Sequence, residues 1–132
     1  MNYIKEYVIA LIIFLIIDGI WLVFISKDLY KQALGPLMAG QVNFVAAIIF
    51  YLIFIAGMVF FVIHPAVLSG NVIEALLKGA FLGLICYATY DLTNLAALKD
   101  WPLHITIIDL LWGTFITSIT SFITTYLVLL LK

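Results

Sequence analysis

A chain of 132 residues in which 67% are hydrophobic and only 10% charged lies far outside the composition of soluble domains, and it needs lipid as its solvent. Six lysines, no arginine and seven acidic residues give a formal net charge of -1, so no basic patch is available and nucleic-acid partners are excluded. Cys86 is the single cysteine, which excludes an intrachain disulfide and a cysteine-based metal framework.

Four apolar stretches are long enough to cross about 30 Å of hydrocarbon, which takes about 20 helical residues. The spacing predicts helices over about 4–25, 42–63, 72–98 and 103–131 in one transmembrane domain, 1–132. The first is too long for a signal-peptide apolar region and is interrupted by Asp18, and Lys5 is offset by Glu6, so it reads as a retained helix. The connection that follows contains a short amphipathic segment, Lys27 to Leu34, closed by Gly35-Pro36, with Leu29, Tyr30, Ala33 and Leu34 suited to the membrane interface. His64-Pro65 and Ser69-Gly70-Asn71 read as a tight second connection, with Asn71 and Glu74 spaced as a capping box for the third helix. Asp100-Trp101-Pro102 opens the fourth, where proline is tolerated because a first-turn N–H bonds nothing.

The expected fold is therefore all-α: an integral-membrane four-helix bundle, up-down-up-down, with short connections. Both termini and the 64–71 turn fall on one side, side A, and loops 26–41 and 98–102 on the other, side B. Lys5, Lys78 and Lys132 lie at or near side A and Lys27, Lys31 and Lys99 at side B, so the lysine rule is tied and orientation stays open.

Depth separates the informative residues from the rest. Asp18, Asp91 and Asp109 each lie six or seven residues inside the side-B ends of the first, third and fourth helices, roughly 10 Å deep at 1.5 Å per residue. Burying an aspartate mid-span costs about 2.5–3.5 kcal/mol on insertion scales, which one apolar helix absorbs. Three helices accepting that cost at one level suggests that the carboxylates face one another or a shared ligand. Three ionised carboxylates would repel, so at least one carries a proton at neutral pH or a cation compensates them. Tyr87, Asp91 and Asn94 share a face of the third helix, with Tyr90 beside them; Trp21 follows Asp18 by three and Trp112 follows Asp109 by three. Each Trp supplies a flat wall and an N–H donor. Asn43, at the start of the second helix, completes the candidate ligand-binding set.

On the fourth helix Thr106, Asp109, Gly113, Thr117, Thr120 and Thr124 form a polar stripe from side B toward side A. It reads either as a path for a proton, water or small solute, or as hydroxyls bonded to their own i-4 carbonyls with small residues allowing close packing. The three aspartates have a structural alternative too, an interhelical hydrogen-bond knot that fixes register. No metal site is assigned: His104, five residues before Asp109, falls off its face. His64 and His104 sit at helix ends where polarity alone suffices, Cys86 has no basic neighbour in sequence, and Glu74 and Lys78 are spaced to pair. Gly79-x-x-x-Gly83 is a helix-packing face, and a homo-oligomer through it is one partnership the sequence admits, beside membrane lipids.

The residues Asp18-Gly19-x-Trp21-Leu22, Gly35-Pro36, Tyr87-Ala88-Thr89-Tyr90-Asp91-Leu92-Thr93-Asn94 and Asp109-x-x-Trp112-Gly113 together resemble the small bacterial membrane proteins grouped as domain of unknown function 2177. The resemblance covers essentially the whole chain, and the third-helix motif is its most specific part. It implies a bacterial inner-membrane location and no established activity. Three readings stay open. The first is a transport-type role in which the carboxylates bind or conduct a cation, proton or small polar solute; four helices leave little room for alternating access in one protomer, which favours a dimer. The second is a membrane enzyme acting on a lipid or isoprenoid by acid-base chemistry, with no cofactor legible. The third is a non-catalytic assembly partner with no cavity at the aspartates.

Overall fold

A computed structural model of the chain describes residues 2–26 and 44–131. Asn43, the 27–34 segment, Gly35-Pro36, Lys27, Lys31 and Lys132 lie outside the described residues. Within them there are four helices long and apolar enough to cross a membrane, Tyr3–Phe24, Phe44–Ser69, Val72–Ala97 and Leu103–Leu130, packed as an all-α bundle.

Two of these helices change pitch. The first is α-helical over Asn2–Ile20 and widens to a π-helix over Trp21–Ser26. The second is α-helical over Phe44–Met58, π-helical over Val59–Ile63, and α-helical again over His64–Ser69. Helical structure thus continues through His64-Pro65, where the sequence suggests a break. A proline ring collides with the carbonyl four residues before it in α geometry, and the wider π turn relieves that contact; the His64 N–H accordingly bonds the Val59 carbonyl, one residue beyond the α partner.

The second helix stops at Gly70, whose φ of 70° is left-handed. Its N–H bonds the Val67 carbonyl at 3.2 Å and the Asn71 N–H bonds Ala66 at 3.0 Å, a Schellman ending that only a residue without Cβ adopts cheaply. Asn71 then caps the third helix, its Oδ1 accepting the Glu74 N–H at 3.1 Å. Glu74 does not return the bond, because the Asn71 N–H is already committed to Ala66; its carboxylate turns to Lys78 at 3.6 Å instead.

The fourth helix is the hub. Its most extensive partner is the third helix, and it also packs on the first and second. Gly79 and Gly83 lie buried against Thr117, Ser121 and Gly113, so close that a Cβ on Gly83 would overlap the Gly113 carbonyl oxygen and one on Gly113 would enter the Tyr87 ring. That glycine face is filled within the chain by the fourth helix. Apolar packing among the first, second and fourth helices centres on Phe14, Phe54, Ile55, Met58, Ile63 and Ile116. Outward faces carry Ile12, Ile53, Phe81 and Leu111, exposed apolar side chains suited to lipid.

Candidate functional site

The second helix supplies the group that organises the side-B end of the bundle. Tyr51 is the one residue with a hydroxyl in the run Phe44 to Ile63, and it donates to Asp18 Oδ2 at 2.6 Å. The indole N–H of Trp112 donates to Asp18 Oδ1 at 3.3 Å, so both carboxylate oxygens of Asp18 are engaged. Trp21 stacks on Trp112 with centroids 4.3 Å apart and planes 10° from parallel, which locks the first helix to the fourth at this depth. The sequence pairs each Trp with the aspartate on its own helix; Trp112 instead reaches across to Asp18 of the first helix.

Asp109 is 9% exposed, within electrostatic range of Asp18, and no described residue donates a hydrogen bond to it. Together with Phe50, Cys86, Tyr87 and Tyr90 it lines a cleft of about 380 Å³. Tyr87 stands at the centre of the group, its ring against Gly113 and edge-on to Phe54, with Asp18, Tyr51 and Asp91 all close enough to act on its hydroxyl electrostatically. Tyr90 turns outward, 58% exposed, with Asn94 in hydrogen-bonding reach and the edge of Trp101 at 5.8 Å.

Asp91 is 0% exposed and neither of its oxygens meets a protein hydrogen-bond partner. The three aspartates thus have different surroundings: Asp18 accepts from two donors, Asp109 lines a cleft, and Asp91 is sealed with no hydrogen-bond partner among the described residues. Among the described residues no three His, Cys, Asp or Glu side chains converge closely enough to hold a metal ion. Ion pairs among them are confined to Glu6–His64 and Glu74–Lys78, both on side A, so no basic side chain among the described residues pairs with the aspartates.

The polar stripe of the fourth helix faces inward. Thr106 is buried and accepts the indole N–H of Trp101 at 3.1 Å, which folds the 98–102 connection under the bundle. Farther along, Thr117, Thr120, Ser121, Thr124 and Thr125 are buried and none of their hydroxyls has a protein partner. Back-bonding to i-4 carbonyls occurs elsewhere, at Thr89, Thr93 and Thr114, and so it is a competing option these five positions do not take.

The stripe leads to a second buried pair that the sequence does not announce. Glu6 is 0% exposed and both its oxygens face His64 Nδ1, at 3.0 and 3.1 Å, with the Tyr3 ring stacked on the imidazole at 4.0 Å. Glu6 lies twelve residues before Asp18, and Thr124 twelve after Trp112 on an antiparallel neighbour, so the pair stands level with Thr124. A signal was available in the sequence, since Glu6 and His64 are ionisable residues inside the side-A ends of the first and second helices. Their separation along the chain, 58 residues, concealed the contact.

Four lipid-facing helices wrapped around buried carboxylates and hydroxyls define a polytopic membrane protein with a polar interior. The chain belongs to the family described as predicted membrane protein, domain of unknown function 2177, whose profile matches residues 3–126. No curated protein and no solved structure matches it.

Proposed function

We propose that this protein binds a proton or small cation at Asp91 and Asp109 and passes it along the inward face of the fourth helix toward Glu6 and His64, a transport-type role in a bacterial inner membrane. The observation that carries this reading is the line of five buried hydroxyls without protein partners. A hydroxyl left unpaired in an apolar interior costs about 1–3 kcal/mol, and a row of them is tolerable only if water or a polar solute runs beside it. Asp91 points the same way, since a sealed carboxylate without donors must carry a proton or lie beside a cation. Thr106 to Thr125 covers roughly 28 Å at 1.5 Å per residue, close to the roughly 30 Å of the hydrocarbon layer.

The cleft at Asp109 weighs against a purely structural knot, which needs no space beside the carboxylates. The test is flux in proteoliposomes holding a pH-sensitive dye or a sodium-sensitive dye, with a potassium diffusion potential imposed. Wild type is expected to carry protons or sodium well above empty liposomes, with Asp91→Asn and Asp109→Asn reduced at least tenfold. Equal leak in wild-type and protein-free vesicles, for protons and sodium alike, overturns the reading.

A further inference from the structure

The cleft at Asp109 has a composition that a proton path does not require. Phe50 comes from the second helix and Cys86, Tyr87 and Tyr90 from the third, with Asp109 of the fourth helix lining the space between them. Phe50 and Tyr90 are about half exposed on the outer surface, so the mouth opens sideways, into the lipid. An opening to the bilayer admits molecules already dissolved there, and one of about 380 Å³ walled by three aromatic rings has room for far more than an inorganic ion.

We infer that this cleft is a binding site for an amphipathic organic cation that enters from the bilayer, with its ammonium against Asp109 and between Tyr87 and Tyr90. Charge complementarity selects that class. Asp109 is nine-tenths buried and, among the described residues, has neither a hydrogen-bond donor nor a basic side chain paired with it. An anionic amphiphile is repelled by it, and a neutral one can offer a hydrogen bond but no opposite charge. Aromatic faces attract a cation most strongly when water is absent, and a weakly hydrated alkylammonium loses less on entering than a metal ion does. The apolar tail stays in the lipid beside Phe50. Tyr90 stands at the mouth with the Trp101 ring edge-on to it at 5.8 Å. The inference deepens the transport reading at one of its carboxylates, Asp109, by naming a ligand class and a lateral entrance.

The test is equilibrium dialysis of radiolabelled dodecyltrimethylammonium, below its micellar concentration, against the protein in phosphatidylcholine nanodiscs, with empty nanodiscs as the partition baseline. A saturable component of one ligand per chain is expected. Asp109→Asn is expected to remove it, and Tyr90→Ala to weaken it about fivefold or more. Dodecanol is not expected to displace the probe. Tyr90 is outward-facing, so its variant keeps the proposal testable if Asp109→Asn fails to fold. Absence of a saturable component, its survival in a folded Asp109→Asn or an unchanged affinity in Tyr90→Ala overturns the inference. Displacement by dodecanol does so too. Binding is read without flux, so a wild type that conducts nothing leaves this site standing, and one that conducts without binding the amine removes this site alone.

Discussion

Asp18 and Asp91 are the same residue type at similar depth, and their surroundings predict opposite responses to substitution. Asp18 accepts from Tyr51 at 2.6 Å and from Trp112 at 3.3 Å, and hydrogen bonds to a charged group contribute about 1.5–3 kcal/mol each. Tyr51→Phe and Asp18→Leu are therefore expected to lower the melting temperature in detergent, the second because it strands two donors. Asp91 has no donor to lose, so Asp91→Asn and Asp91→Leu are expected to leave the melting temperature unchanged or raise it, the pattern of a residue kept for function at some cost in stability. Thermal unfolding of the four variants in one detergent decides it: a large loss of stability in Asp91→Leu would show that the carboxylate holds the bundle together. Depth along the helix made all three aspartates legible in the sequence, because an ionisable group mid-span is visible without any knowledge of partners. Their partners were not legible. Tyr51 stands alone in an apolar run, and nothing in helical periodicity says which neighbour its hydroxyl will find.

At the level of the element, the contact between the third and fourth helices is set by the absence of side chains. The Gly79/Gly83 spacing announced a close helix approach, and the structure supplies the partner, Gly113 and the small hydroxyl residues beside it. Tyr87 occupies the space that Gly113 leaves open, which carries its ring into the centre of the carboxylate group. Gly113→Ala would drive a methyl into that ring, and Gly83→Ala would press one on the Gly113 carbonyl, a backbone atom that cannot turn aside. Overpacking of this kind costs about 1–3 kcal/mol, and both variants are expected to unfold at lower denaturant than wild type. Gly19, next to Asp18, has nothing within 4 Å of an added Cβ, so Gly19→Ala is expected to change stability by less than about 0.5 kcal/mol. Equal losses in all three would mean that helix flexibility, not contact, is what these glycines supply. The π turns were beyond the reach of the sequence. Pro65 reads equally well as the end of a helix and as a residue that a wider turn absorbs, and only packing of His64 against the first helix distinguishes the two.

For the molecule as a whole, polarity runs inside out. The fourth helix has the richest run of hydroxyls and is also the most buried of the four, whereas the first, largely apolar, faces outward over most of its length. In water such an arrangement would expose the wrong surface; in lipid it is stable provided that the interior hydroxyls find partners. The stripe was legible from spacing alone, but its two meanings were not separable there, because back-bonded threonines and solvated threonines share the same periodicity. The unpartnered hydroxyls at Thr117, Thr120 and Thr124 make them separable by experiment. Valine has nearly the shape of threonine and the same β-branching, so replacing all three removes the hydroxyls with little change in packing or helix preference. If the hydroxyls line a wet path, the triple variant loses proton or cation flux while its melting temperature holds or rises, since about 1–3 kcal/mol of desolvation cost is relieved at each site that water no longer serves. If they are structural, each valine breaks a bond that holds the helix to its neighbours, and the triple variant melts several degrees below wild type. Measuring flux and melting temperature on the same preparation separates a path from a seam, because only a path allows the protein to become more stable and less conductive together.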